Sequence, residues 1–184
     1  MKKLFLFIIF IPLVLLMTSC DFSSNENVYD DHIKCDNLMT NLVTALANKD
    51  ADKAKNFFAH KLYSAETFDS DLNDLIEYYN GSLKKVSGMV TTGEYYNDYI
   101  EIRHDLEYNV VCDNEIFRFY VVYIEKDSRN SKNIGINNLY VLKKSEDEYP
   151  DLRYFGAIYN FEEGIHVAYP HELLEEDLDN TITA

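Results

Sequence analysis

The sequence predicts an α+β domain in which N-terminal helices pack on a curved antiparallel β-meander. Three observations carry this. Apolar residues recur at helical spacing from about Asp30 to Gly81, and from Ser82 onward the pattern turns to strands separated by Asn, Asp and Gly. A short turn at Cys112-Asp113-Asn114-Glu115 sets a register that collects apolar and aromatic side chains on one sheet face. The chain is also rich in sheet-forming aromatics, with Tyr 15 and Phe 11 and no Trp.

The elements follow in order. Lys2 and Lys3 precede an uncharged run from Leu4 to Met17, the length of a signal-peptide core and shorter than the ~20 apolar residues that cross a bilayer. Residues 1–19 therefore read as a leader, residues 20–28 as a polar tether, 29–170 as a single domain and 171–184 as an acidic tail. Ile33, Leu38, Leu42, Ala45 and Leu46 mark a first helix. Asp50 is placed to cap a second, carrying Ala54, Phe57, Phe58 and Leu62. Asp69 or Ser70 is placed to cap a third, with Leu72, Leu75, Ile76 and Tyr79 inward and Gly81 as its stop.

In the strand region, the Asp113-Asn114 turn tolerates positive φ and pairs Val110 with Phe117, Tyr108 with Phe119, Leu106 with Val121 and His104 with Tyr123. This face is the seat for the helices. The opposite face carries Asp105, Glu107, Asn109 and Arg118. Gly135 to Lys144 supplies a further strand, and Arg153 to Tyr159 with Ile165 to Tyr169 suggests a last hairpin.

Met17-Thr18-Ser19-Cys20 resembles the lipobox of bacterial lipoproteins, with Met17 where that pattern usually has Leu. The resemblance implies cleavage before Cys20, lipidation of its thiol, and a location on the extracytoplasmic face of the cell membrane. An ordinary secretory signal and an uncleaved anchor are the alternatives. Loss of the leader removes two lysines and no acids, leaving 15 basic against 32 acidic residues, or −17. That charge opposes nucleic acid and anionic lipid surfaces as partners. Cys35 and Cys112 then either form a disulfide, which would contribute ~4 kcal/mol by closing a long loop, or remain buried thiols.

Helices followed by a meander is the order of cystatin-like and nuclear-transport-factor-like domains. More closely, Cys35-Asp36, Leu42, Ala45-Leu46, Lys49-Asp50, Phe57-Phe58, Asp71, Leu75 and Tyr79 to Gly81 resemble a family of uncharacterised bacterial lipoproteins with that fold. Phe119 to Glu125, Asn133, Gly135 and Leu139 to Leu142 continue the likeness, which spans Tyr29 to Lys144. It implies a fold and brings no catalytic residues.

Candidate chemistry is sparse. His104, Tyr108, Phe119 and Tyr123 are the candidates for lining a pocket between sheet and helices. His104 and Cys112 share a face but stand eight residues apart, more than 20 Å at ~3.3 Å per residue, too far for a thiol and its base. Asp69-Ser70-Asp71-Leu72-Asn73 opens like a calcium loop but lacks its glycine and closing glutamate. His166 and His171-Glu172 lack zinc-site spacing. Neither metal nor cofactor is expected. The expected function is binding of a small apolar ligand or an envelope protein through the concave sheet face, with the N-terminal lipid in the membrane. The alternatives are an enzyme in which His104 moves a proton, and a protective or inhibitory surface protein working through its acidic exterior.

Overall fold

The structure, a computed structural model, describes residues 23–96, 99–146 and 163–168. The leader, Cys20, the Arg153 to Tyr159 segment and the acidic tail lie outside them. Helices α1 (Ser23–Ala47), α2 (Ala51–Lys55) and α3 (Phe68–Tyr78) precede strands β1 (Leu83–Tyr96), β2 (Ile100–Cys112), β3 (Ile116–Asp127), β4 (Gly135–Lys143) and β5 (Gly164–Val167). The strands form one sheet in sequence order, and the fold is α+β. No helix among the described residues is long and apolar enough to cross a membrane.

Helix α1 starts at Ser23, inside the segment expected to be a tether. Its inward face is also rotated from the expected one. Cys35, Met39, Leu42, Val43 and Leu46 are fully buried, whereas Ile33 is exposed. Leu42 and Leu46 set the phase, and stepping back by about one turn at a time reaches Met39, Cys35 and Asp31. An acid and a small thiol do not read as core, which is why the expected stripe ran through Ile33.

The helix ends in a paired-turn motif, with Asp50 N–H donating to the Ala45 carbonyl at 3.0 Å and Lys49 N–H to that of Leu46 at 3.0 Å. Lys49 takes φ 55, the left-handed conformation usual for glycine. Asp50 caps α2 as expected, accepting from Lys53 N–H at 3.0 Å. The helix then stops at Lys55, short of its expected length. Phe57 and Phe58 leave it to join β4: Ile136 N–H donates to the Phe57 carbonyl at 2.9 Å, and Ala59 N–H to that of Ile136 at 2.9 Å. Gly135 permits this crossing, since a Cβ there would lie 2.7 Å from the Ala59 nitrogen.

Helix α3 buries Phe68, Leu72, Leu75 and Ile76, with Tyr79 buried just past its end. It starts after Thr67, so Asp69 and Ser70 belong to its first turn and neither is the cap. Asp69 instead receives Lys55 Nζ at 2.6 Å, and Ser70 Oγ donates to the Thr67 carbonyl at 2.8 Å.

The β2–β3 register is the expected one, residue for residue: Val110 with Phe117, Tyr108 with Phe119, Leu106 with Val121 and His104 with Tyr123. The conformation of the turn differs from the expected one. Neither Asp113 nor Asn114 adopts positive φ. The turn is instead tied to the start of β1, with Asp113 N–H donating to the Ser82 carbonyl at 3.2 Å and Asp113 Oδ1 accepting from Ser82 N–H at 2.9 Å. β5 runs parallel to β4, so among the described residues the sheet is antiparallel from β1 to β4 and adds one parallel strand; the expected hairpin partner of β5, Arg153 to Tyr159, lies outside the described residues.

The core lies between the helices and the inward rows of the sheet. Val110 and Phe117 form one row, Tyr108 and Phe119 the next, Leu106 and Val121 the third, and all six are buried. Gly88 on β1 makes room in the second row, where a Cβ would stand 2.6 Å from Tyr108 Cγ. The fourth row is polar.

Candidate functional site

That fourth row is Thr92 on β1, His104 on β2 and Tyr123 on β3, paired side by side. Two register shifts flank Tyr123. On the β2 side Arg103 pairs with Ile124 and Ile102 with Lys126, which leaves Glu125 as the extra residue of a bulge. On the β4 side Val122 pairs with Asn138 and Tyr123 with Ile136, which leaves Asn137 extra. Bulges bend a strand and re-aim its side chains, and here they place Glu125 against His104. Helix α1 packs on β1 and β2 and brings Asp31, Lys34 and Cys35 to the same end.

His104 is 0 % exposed, and both of its ring nitrogens are engaged. Nδ1 lies 3.0 Å from Thr92 Oγ1 and Nε2 lies 2.9 Å from Glu125 Oε2. Thr92 Oγ1 donates to Asp31 Oδ2 at 3.0 Å. The ionised Glu125 accepts from Nε2–H, and the Thr92 hydroxyl bridges Nδ1 and Asp31. Every donor in this chain then has an acceptor. The Lys34 ammonium completes it, 2.5 Å from Glu125 Oε1 and 4.0 Å from Asp31 Oδ1. The Tyr123 ring stacks beside the imidazole, with centroids 5.6 Å apart and planes inclined by 18°.

Electrostatics follow from this arrangement. Burial pulls the Glu125 carboxyl upward, but hydrogen bonds from Lys34 and His104 outweigh it and hold the group below its ordinary value. The bond to Glu125 raises Lys34. Burial, with Asp31 and Glu125 nearby, pushes the Cys35 thiol up to about 12, so it keeps its proton. Tyr123 is raised by burial and by Glu125. The ligating atoms of Asp31, His104 and Glu125 all lie within 4.8 Å of one another.

The other candidates go elsewhere. Tyr108 and Phe119 are fully buried in the helix–sheet core. The Tyr108 hydroxyl donates to Asp36 Oδ1 at 2.6 Å, while Phe119 packs beside Tyr79 at 6.3 Å between ring centroids. Cys35 and Cys112 are free, buried thiols, so of the two alternatives for the pair the disulfide is not formed. Cys35 sits at the polar row; Cys112 sits at the opposite end of β2, its sulfur 3.2 Å from the Tyr79 hydroxyl. His166 stacks on Tyr140 at 4.2 Å on the β4–β5 edge, and His171-Glu172 lies outside the described residues.

Asp31, Lys34, Thr92 and Glu125 were missed by sequence reasoning. Two of them had a readable signal. Glu125 continues the inward alternation of Phe117, Phe119, Val121 and Tyr123, and Asp31 stands one turn before Cys35 on the buried stripe.

The model of a domain of unknown function, DUF5104, matches residues 41–144, more than half of the chain. The chain belongs to the DUF5104 family. No curated protein matches it. The DUF5104 span holds Thr92, His104, Tyr123 and Glu125, whereas Asp31 and Lys34 precede it. The sheet half of the polar cluster therefore falls within the matched span, and the half on α1 precedes it.

Proposed function

We propose that this DUF5104 protein is a lipid-anchored extracytoplasmic binding domain that takes its ligand at the polar end of the sheet. His104 carries the reading. A histidine with no exposed surface, bonded through one nitrogen to the Thr92 hydroxyl and through the other to the partly exposed Glu125 carboxylate, stands in line with Leu106, Tyr108 and Val110. Apolar residues would fill that position at equal or greater stability, so the polar set points to recognition and away from a purely structural role. The inner face, expected to take an apolar ligand, is filled by the domain's own helices over Tyr108 and Phe119, which supports the fourth row as the place of recognition. The Lys2-Lys3 start, the apolar run and Cys20 support the anchor, as does the likeness to lipoproteins with cystatin-like or nuclear-transport-factor-like domains.

The test uses full-length protein recovered from membranes in mild detergent. Its mass is expected to show a chain starting at Cys20 with acyl groups added; an unmodified chain retaining Met1 overturns the anchor. A panel of small organic amines, carboxylic acids and sugars, together with metal ions, is then scored by thermal midpoint. At least one is expected to raise it in the wild type and not in His104→Leu. If none does, or if His104→Leu responds equally, the binding reading falls.

A second reading has one observation in its favour. Thr92, His104 and Glu125 line up as hydroxyl, imidazole and carboxylate at 3.0 and 2.9 Å, the order of groups in a nucleophile relay. Asp31 Oδ2 lies as close to the Thr92 hydroxyl as the ring does and competes for its proton, which works against activation. Turnover of activated esters by the wild type, lost in Thr92→Ala and in His104→Gln, would favour this reading; no turnover removes it.

A further inference from the structure

We propose that Asp31, His104 and Glu125 form a binding site for a divalent transition-metal ion of the zinc type, and that the Lys34 ammonium is the built-in cation this ion displaces. The inference rests on the binding reading above and names its ligand.

The donor set comes first. One imidazole nitrogen and two carboxylates converge from α1, β2 and β3, with their ligating atoms within 4.8 Å of one another. Zinc takes nitrogen and carboxylate ligands at roughly 2.0 to 2.2 Å, so ligand atoms around a tetrahedral ion stand ~3.4 Å apart. Small side-chain rotations close that difference, because the side chains of Asp31 and Glu125 keep 20 % and 26 % of their surface exposed. Open positions would remain for water. A donor set containing imidazole, with only two carboxylates, suits zinc better than calcium or magnesium, which favour all-oxygen shells.

The supporting bonds come second. A ligating histidine usually has its other ring nitrogen held by a hydrogen-bond partner. Here Nδ1 is held by Thr92 at 3.0 Å, which turns Nε2 toward Glu125. The same hydroxyl holds Asp31 at 3.0 Å, so one threonine orients two of the three ligands. Binding requires Nε2 to be free of its proton. As the metal–nitrogen bond forms, Nε2 gives up its proton to solvent, and the neutral ring carries its one proton on Nδ1, facing Thr92.

The lysine comes third. Its ammonium lies between the two carboxylates, 2.5 Å from Glu125 and 4.0 Å from Asp31, and so marks where positive charge is stabilised. The Lys34 side chain is 45 % exposed and reaches the site from the helix surface, so it can swing into water without disturbing the core.

The experiment titrates EDTA-stripped full-length protein with zinc chloride, and separately with magnesium chloride, by calorimetry and by thermal midpoint. Expected are one zinc per chain with a Kd in the micromolar range or tighter, and magnesium binding at least a hundredfold weaker. His104→Gln and Glu125→Gln are each expected to weaken zinc tenfold or more. Lys34→Met keeps every ligand and is expected to tighten zinc about tenfold, which separates loss of a ligand from loss of the fold. Absence of zinc binding, or zinc binding unchanged in both ligand variants, overturns the site; unchanged or weaker binding in Lys34→Met overturns the role of the lysine. If zinc fails while an organic ligand still raises the midpoint of the wild type and not of His104→Leu, the metal inference falls and the binding reading stands.

Discussion

His104 Nε2 meets Glu125 Oε2 at 2.9 Å where β3 carries one residue more than β2, so a buried imidazole is matched to a carboxylate that still reaches solvent. The two partners are unequal. Replacing Glu125 by Leu takes the acceptor away from a buried Nε2–H, at a cost of ~1 to 3 kcal/mol. Replacing His104 by Leu leaves Glu125 with Lys34 and solvent, and fills the row with an apolar side chain. Urea denaturation is expected to show Glu125→Leu clearly destabilised and His104→Leu within about 1 kcal/mol of the wild type. Equal losses would mean that the imidazole is a structural member of the core.

Gly88 and Tyr108 give a second test. A methyl at residue 88 would stand 2.2 Å from the Glu107 carbonyl oxygen and 2.6 Å from Tyr108 Cγ, and both neighbours are fixed by strand pairing. Gly88→Ala is expected to cost ~1 to 3 kcal/mol through overpacking. Tyr108→Phe removes only the bond to Asp36, and because that acceptor is charged the expected cost is ~1.5 to 3 kcal/mol. If the Gly88 methyl acts by pushing the ring off Asp36, the double variant will lose less than the two single losses added together.

These relationships mark how far the sequence could be read. The β2–β3 register was legible because alternation and a two-residue turn are both local, and a slip of one residue would have sent Phe117 and Phe119 to the wrong face. The turn's own dihedrals were not legible, since they depend on Ser82 docking from β1. The phase of α1 was misread because Asp31 and Cys35 occupy core positions without looking apolar. The polar cluster was hidden for a stronger reason: Thr92 and Asp31 are 61 residues apart, and His104 and Glu125 are 21 apart across a bulge. No spacing rule joins them. Only the sheet register and the helix phase together do so.

Lys49 links the first two helices to the third. Its positive φ strains a residue with a Cβ, yet its ammonium donates to the carbonyls of Ile76 and Tyr79 at the end of α3. Lys49→Met keeps the strain and loses the bonds, and is expected to destabilise by ~1 to 2 kcal/mol. Lys49→Gly loses the same bonds but relieves the backbone by about 1 kcal/mol, so it should lie closer to the wild type. Chemical denaturation that ranks glycine below methionine would show that the left-handed conformation carries no cost here.

The β2–β3 turn contributes to the acid sensitivity of the fold. The Ser82 N–H bond to Asp113 holds that carboxyl below its ordinary value, and the Ser145 hydroxyl does the same for Glu115, helped by Ile116 N–H at 2.8 Å. Both groups are lowered on folding, so the sign is fixed: their stabilisation is complete above the unfolded carboxyl values, roughly pH 4, and disappears as pH falls through the lower folded values. Unfolding midpoints of the wild type should therefore fall on acidification below about pH 4. The double variant Asp113→Asn with Glu115→Gln should start lower at neutral pH and show a shallower acid limb. A limb of unchanged slope would place the acid-sensitive groups elsewhere, with Glu125, held down by Lys34 and His104, the next to replace.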